Sequence, residues 1–461
     1  MSTVQLFMDD SPLFRREHLS RRNTPMEHVA DYSDGVTNVV HPGGYVFRQA
    51  DGTYRLFYSG TLLGGEPQLH QLTAVSDDGI RFRPDDRAAE RAGVKDPVLP
   101  HQFIADFPRS SEIHSMVEDP EARPDARYKM LACRFLPDRL TLWDAVYVSP
   151  DLIRWTELPT ARWHQRGTEP VGSTLYDPAG HRFLIFTRPD WGDRRIALVQ
   201  TRDWENFSAP RMIMAPDSLD APMAEHYGMF GFACGENMLG LLMTYLPTDH
   251  TTLRYKFDGG PVRSELVYSA DGSFWRRTLR VPFVGQENTM FWPSGSQVRD
   301  GYFYLYGTSS ETEHGDFFPD KLRSALKIYR TREHRFLSLA VDPGAAYGQL
   351  ATRQCVLHGG AICWNLKAEH ATCAIYEVTR DRCEVLCPHE TCAPFSGDAA
   401  AWTPEWKDQP AWEDLQGRPL VFELRMDSGE VWSLSGDFSR LVTTEGFRYE
   451  AFRTLPTRRG F

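Results

Sequence analysis

Five stretches of the chain share one local pattern, and no other feature limits the fold as strongly. Ala74-Val-Ser-Asp-Asp-Gly-Ile-Arg-Phe82 places an apolar pair before a hydroxyl residue, an Asp two positions later and an aromatic four after that. The pattern returns at Tyr147 to Trp155, Val199 to Phe207 and Val267 to Trp275, and in degraded form at Ile328 to Phe336. Its third position falls at 76, 149, 201, 269 and 330, giving intervals of 73, 52, 68 and 61 residues. A constant motif at unequal spacing means one supersecondary unit repeated with loops of different length. Strand-rich repeats of this kind predict five blades of a β-propeller, in which radial repetition protects the sheet edges. The competing explanation is a common Ser-x-Asp-Gly hairpin turn, which by itself would not bring the leading apolar pair and the trailing aromatic. The repeated acids, Asp78, Asp151, Asp203 and Asp271, are expected on outer turns, away from the axis.

At 461 residues the chain exceeds one ordinary core, so two domains are expected. A hydrophobic share of 41% with 31 Pro and 35 Gly fits a turn-rich, all-β protein. The formal net charge of −11 argues against nucleic acid or an anionic membrane as a partner. A polar, uncharged small molecule fits better, and nothing excludes a homo-oligomer. The sequence has no apolar run long enough to span a bilayer and no basic segment followed by an apolar one at its start, which predicts a cytoplasmic protein. The eight cysteines contain no Cys-x-x-Cys pair and are expected as buried free thiols.

Along the chain, residues 1–30 read as a charged N-terminal arm, 31–340 as the propeller and 341–461 as a C-terminal β-sandwich. The first blade is expected to run from an inner strand at 36–47 through Tyr54-Arg-Leu-Phe-Tyr-Ser59 into the repeat motif. Each second strand, such as Arg182 to Thr187 or Gly240 to Tyr245, is almost continuously apolar, as a strand packed on both faces should be. Beyond about 340, short strands are expected at Gln349 to Trp364, Ala371 to Val378, Pro419 to Arg425 and Glu430 to Leu434. Ser396 to Gln416 reads as a long loop whose Trp402, Trp406 and Trp412 staple the two modules.

Innermost strands of a propeller converge on an axial funnel, so polar groups at their starts are the first candidates for chemistry. They are His41 in the first blade, Glu118 and Asp119 in the second, Glu169 in the third, Glu225 and His226 in the fourth and Trp292 in the fifth. No His-x-x-x-His or Gly-x-Ser-x-Gly pattern points to zinc or to a serine nucleophile, and no metal or cofactor is expected. Each candidate has a plainer alternative. Asp119 and Glu169 precede prolines and suit turns, Glu225 can pair with Arg188 or Arg280, and His41 can be a hydrogen-bonded structural histidine.

His41-Pro-Gly-Gly-Tyr-Val-Phe-Arg-Gln-Ala-Asp-Gly-Thr-Tyr-Arg-Leu-Phe-Tyr58, Glu118-Asp-Pro120, Glu169-Pro170 and Leu415-Gln-Gly-Arg-Pro-Leu-Val-Phe-Glu-Leu424 together resemble glycoside hydrolase family 32 and its neighbours, families 43 and 68, over roughly 30–461. Glu225-His-Tyr-Gly228, Arg280-Val-Pro-Phe283 and Glu313-His-Gly315 are similar to stretches of family-32-like bacterial proteins. The resemblance implies a five-bladed propeller with a C-terminal sandwich, acting on a small saccharide that is a furanoside or fructoside. Where the family has its first-blade Asp nucleophile, this chain has His41. By the same likeness Glu169 is the general acid and Asp119 steadies the sugar and the transition state, with Glu225 as base or nucleophile, since glycoside cleavage needs two carboxyl groups. His41, Glu118, Arg188, His226, Trp292 and His314 are the candidates for holding substrate. Two functions follow from these residues: a glycoside hydrolase, or a catalytically silent sugar-binding or scaffold propeller.

Overall fold

The computed structural model describes residues 3–65, 68–104, 112–135, 142–161, 168–169, 173–189, 193–247, 259–314, 323–379, 382–407 and 410–441. The chain divides into two compact units, one of residues 25–233 and 238–331 and the other of 1–24, 234–237 and 332–461.

The first unit is a five-bladed β-propeller. Four consecutive antiparallel meanders open at Thr37–Arg48, Glu112–Glu118, Thr168–Glu169 with Thr174–Asp177, and Glu225–Cys234. The fifth opens at Met290–Arg299, continues through Tyr302–Ser310 and Ser324–Arg332, and takes its outermost strand, Glu27–Tyr32, from near the N-terminus. Hydrogen bonds follow the ring in order. Tyr45 Oη donates to the Ile113 carbonyl at 3.1 Å, Ser115 Oγ to Thr174 Oγ1 at 2.6 Å, and Gly231 N to Ser173 Oγ at 2.8 Å. Ser264 Oγ then donates to the Phe291 carbonyl at 3.3 Å, and Gln297 Nε2 returns to the Val46 carbonyl at 2.7 Å.

Apolar clusters fill the gaps between neighbouring blades. Phe47 and Phe57 meet Met116 and Met130, Leu131 and Val146 meet Phe183 and Val199, and Phe186 and Leu198 meet Met229 and Leu242. Tyr227 and Tyr245 meet Trp292, and Tyr304 and Tyr306 meet Leu56 and Tyr58. Alternate residues of a strand point to opposite faces, so each second strand feeds two gaps and has to be apolar on both sides. A buried side chain of this size contributes about 2 kcal/mol, which makes the gaps the main cohesive term of the ring.

The repeated motif closes the turn from third to fourth strand. Oδ1 of Asp78, Asp151, Asp203 and Asp271 accepts the backbone N–H groups two and three residues on, at 2.7–3.0 Å in every copy. The next residue takes the left-handed conformation, with φ of 63° at Gly79, 63° at Leu152, 60° at Trp204 and 70° at Gly272. Leu152 and Trp204 accept this strain because both are buried against neighbouring strands. In the fifth blade the left-handed residue is His334, at 65°, so Thr331 and Glu333 occupy the hydroxyl and acid places. That register lies one residue later than the sequence pattern suggests.

Residues expected as an arm instead enter sheets. Thr3–Leu6, Leu13–Glu17 and Leu19–Asn23 pair with strands of the second unit, and Glu27–Tyr32 completes the fifth blade. Leu6, Leu13 and Leu19 are buried in these strands, a pattern masked in the sequence by Arg15-Arg16 and Arg21-Arg22.

In the second unit the short strands expected from the sequence merge into two long ones, Cys355–Val378 and Pro419–Arg440, which pair along most of their length. The sequence interruptions become bulges. At Gly429, φ is 136° and a Cβ would meet Lys367 O at 2.1 Å, so a residue that resembles a turn permits close passage of the partner strand. Cys355 pairs with both Leu420 and Arg440, the two ends of one strand, so the sheet folds onto itself as a sandwich around Phe7, Trp364, Phe422 and Leu434. Trp406 lies in this core, its Nε1 donating to the Cys373 carbonyl at 2.8 Å, and Trp402 and Trp412 pack against it. The expected loop contains a strand, Phe395–Trp402, and a 3-10 turn, Trp412–Leu415. Cys234, Cys355, Cys363, Cys373, Cys387 and Cys392 are free thiols.

The link from the closing strand to the first blade is pinned by Asp34. Its carboxylate is fully buried and accepts from Val36 N at 2.9 Å, Thr37 N at 2.8 Å, Thr37 Oγ1 at 2.7 Å, Tyr58 Oη at 2.9 Å and His101 Nε2 at 3.3 Å. Burial alone would raise its pKa, but the hydrogen bonds from His101, Thr37 and the two backbone N–H groups outweigh it and lower the value to about 2. The folded value lies below the ordinary 3.8, so the stabilisation is present above pH 4 and is lost as pH falls toward 2. Denaturant titrations of wild type and Asp34→Asn should differ by about 2 kcal/mol at neutral pH and converge near pH 2; curves that stay parallel across that range would refute the assignment. At the repeat, Gly272→Ala should cost about 1–2 kcal/mol, since a Cβ there would meet Leu184 Cδ1 at 2.6 Å in a left-handed backbone. An unchanged unfolding midpoint would contradict it.

Candidate functional site

Strand direction sorts the candidate residues. Every innermost strand runs from its start at one end of the propeller to a hairpin at the other, as the pairs Arg48–Tyr54, Glu118–Tyr128 and Asp177–Arg182 show. Glu118 and Asp119 therefore stand at the hairpin end, about 20 Å along the strand from Glu112, given a rise of about 3.3 Å per residue. Asp119 ion-pairs there with Lys129 at 3.1 Å, both side chains buried, and accepts Glu121 N at 3.1 Å. Glu118 pairs with Arg127. The expected convergence of three blades' carboxylates on one cavity fails for the second blade, because the Glu-Asp-Pro run follows its strand instead of preceding it.

The strand-start end gathers other residues. Glu225 opens the first strand of the fourth blade, and its Oε2 accepts from Arg194 Nη1, with both side chains nearly buried. Neither Arg188 nor Arg280 takes this place, and Arg280 instead binds Asp217 at 2.6 and 2.9 Å. Two residues beyond Glu225, on the same face, stands Tyr227. Arg188 Cζ lies 4.7 Å and Arg194 Cζ 5.1 Å from its ring centroid, and Arg188 Nη1 donates to its carbonyl at 3.1 Å. The phenol oxygen is 2.7 Å from His314 Nε2, and the ring centroids of His314, Trp292 and Tyr245 lie 4.9, 5.0 and 6.0 Å from that of Tyr227. Gly228 makes this packing feasible, since a Cβ there would meet Trp292 at 3.1 Å and Met243 at 2.9 Å. Glu313 accepts Gly260 N at 2.9 Å.

His226 points to the opposite face of its strand, away from Tyr227. It is fully buried near Arg277 and Asp220, and no described residue offers either ring nitrogen a hydrogen bond of good geometry. Burial and the Arg277 guanidinium lower its pKa to about 4. It lies outside the cluster that the sequence reading assigned it to. Glu169 pairs in register with Arg188, which puts its backbone on the strand beside Glu225. Its side chain lies outside the described residues, as does that of His41, whose segment 41–44 leaves the ladder between Val40 and Tyr45. Arg194, Tyr227 and Tyr245 escaped the sequence reading, because each looks like ordinary strand or loop composition until the fold assembles them. Among the described residues no group of three His, Cys, Asp or Glu side chains could hold a metal ion, and no helix is long and apolar enough to cross a membrane.

No protein-family model matches the chain, and comparison with curated proteins finds no match. Among solved structures the chain is similar to the family-32 β-fructofuranosidase of Bombyx mori, at 11% identity and a TM-score of 0.44, covering 93% of this chain and 95% of that one. A structure from the family-130 mannoside phosphorylases, which include hydrolases that target β-1,2-mannosidic linkages, shares 12% identity over 67% of this chain and 94% of that one, with a TM-score of 0.41. An α-L-arabinofuranosidase of Podospora anserina shares 9% over 68% and 98%, with a TM-score of 0.43. Likenesses this distant assign no residue a role, and the architecture rests on the sheet topology.

The hairpin-end position of Asp119 has a direct consequence. Burial lowers the pKa of Lys129, and removal of its carboxylate partner strands a buried ammonium. Asp119→Asn should lower unfolding stability by about 3 kcal/mol, and Asp119→Asn with Lys129→Met should recover most of it. Equal stability of the single variant and wild type would show that the pair is not structural.

Proposed function

We propose that the protein is a glycoside hydrolase whose reaction takes place at the strand-start end of the third to fifth blades. The observation that carries this reading is that Glu169 and Glu225 open neighbouring innermost strands at the same end, with Arg188 in register with Glu169 and Arg194 bound to Glu225. Cleavage of a glycosidic bond develops positive charge on the sugar and negative charge on the leaving oxygen. Glu169 is the general acid for that oxygen. Glu225, ion-paired with Arg194, faces the developing oxocarbenium charge and stabilises it. Trp292 and Tyr245 hold Tyr227 and the guanidiniums in place and exclude water around them. The substrate class is a small saccharide, with furanosides and fructosides the first to try. One observation favours the silent sugar-binding alternative: the commitment of Glu225 to Arg194, which lets it bind without reacting.

Purified protein assayed on a panel of aryl glycosides and short oligosaccharides should turn over at least one of them. Glu169→Gln and Glu225→Gln should each reduce kcat on it by about 100-fold or more. Wild-type rates in both variants would reject the assignment, and calorimetric sugar binding with no product after long incubation would favour the silent propeller.

A further inference from the structure

We propose that residues 215–224 form an acid-released strap at the opening strand of the fourth blade, with His226 as its proton sensor. The strap stands whether or not the protein is a hydrolase. Ala215-Pro-Asp-Ser-Leu-Asp-Ala-Pro-Met-Ala224 carries the chain from the outermost strand of the third blade, Arg211–Met214, into Glu225 and His226. It has no large apolar anchor. Only Ala224 of the segment is buried, while Leu219 is 76% and Met223 50% exposed. Two ion pairs hold it instead: Asp217 accepts from Arg280 at 2.6 and 2.9 Å, and Asp220 from Arg277 at 2.5 Å, both arginines on the strand Arg276–Val284. Within the segment, backbone bonds close local turns, Asp220 N to Asp217 O at 3.0 Å and Ala224 N to Ala221 O at 3.1 Å. Met223 and Arg280 adopt left-handed φ values of 64° and 55°, a strain that release relieves. A segment with few buried apolar contacts and charged anchors belongs to the low-stability end of a fold.

His226, where the strap enters the blade, is fully buried. Its backbone N–H donates to Arg194 O at 3.0 Å, but among the described residues neither ring nitrogen has a hydrogen bond of good geometry. The charged groups on the elements around it are Asp217 and Asp220 of the strap, Arg277 and Arg280 of the edge strand, Glu265 of the strand Val262–Ser269, and the neighbouring Glu225–Arg194 pair. Glu265 binds Arg277 at 2.7–3.0 Å and Asp220 binds the same guanidinium, so a proton reaching the imidazole meets a cation whose carboxylates are engaged. Burial and Arg277 outweigh Asp220, the Met214 carbonyl and Asp217, and lower the pKa of His226 from 6.5 to about 4. With the strap open, the solvated imidazole regains its ordinary value. The closed state therefore keeps its full advantage above pH 6.5 and loses it as pH falls toward 4, about tenfold per unit and about 300-fold in all. The carboxylates act in a different window: Asp217, held at about 2 when paired, promotes release only below its ordinary 3.8. Release uncovers the strand end that carries Glu225, and so links acidity to the candidate site.

Hydrogen–deuterium exchange of the full chain reads the strap directly. Protection factors of peptides covering 217–226 should fall about 50-fold or more between pH 7.5 and 4.5, and should stay at least about tenfold below those of the core strand Asn237–Tyr245 at every pH. His226→Gln, which cannot take the proton, should flatten the profile. Arg280→Gln should lower protection at every pH and leave the slope unchanged. A flat wild-type profile, a fall that begins only below pH 4, or the same fall in His226→Gln would each overturn the strap. Equal protection of 217–226 and the core strand would overturn it too, as the mark of global unfolding, and unchanged protection in Arg280→Gln would overturn its anchoring. If His226→Gln does not fold, the wild-type profile alone decides, since the strap's carboxylates act only at lower pH.

Discussion

The structure depends on the closure of a ring. Glu27–Tyr32 pairs antiparallel with Ser324–Arg332, so the last blade is completed by residues that precede the first. Arg330 reinforces the joint by donating to Glu27 at 2.7 and 3.1 Å, and Asp34 fixes the next turn of chain onto Tyr58 and His101. Without that strand the fifth blade would present an open edge, and the apolar gap holding Tyr304, Tyr306, Leu56 and Tyr58 would lose one of its walls. Closure therefore couples pairing energy at the rim to packing energy in the gaps, and the strand-start end inherits its rigidity from both.

That rigidity gives the Tyr227 cluster its character. Its aromatic rings are buried, and they serve less as a sugar platform than as a frame that holds two guanidiniums and a phenol in fixed relation. A guanidinium over an aromatic face is ordered by the ring quadrupole and keeps its charge in a place where water would otherwise screen it. Arg194 joins three parts of this frame at once, reaching Glu225 with its fork, Tyr227 and Tyr245 with its plane, and His226 N through its carbonyl at 3.0 Å. Charge at this end is thus paired and oriented in advance, the condition under which electrostatic stabilisation acts without reorganisation.

Much of the architecture was legible in the residues, for identifiable reasons. The repeated Asp is a local device: it accepts the N–H groups two and three positions ahead, so its meaning does not depend on distant chain. The apolar second strands were equally plain, since packing on both faces leaves no polar position to confuse the pattern. The N-terminal strands were not legible, because the pairs Arg15-Arg16 and Arg21-Arg22, with Glu17, His18, Ser20 and Asn23 around them, look like a solvated arm until partners appear. The long strands of the sandwich were hidden by Gly359, Gly360 and Gly429, which mark turns in isolation and bulges in company.

The candidate site divides the same way. The sequence placed Glu169, Glu225 and Trp292 at strand starts, where they stand, and placed Glu118 and Asp119 there as well. Only the tertiary structure decided that Asp119 lies at the opposite end, that Arg194 takes Glu225, and that Tyr227 meets His314, 87 residues away. The physical reason is range. Turn chemistry and burial patterns act over a few residues and leave a signature in them. The meeting of a phenol with an imidazole from another blade is set by the radius and closure of the ring, which no local run of residues records.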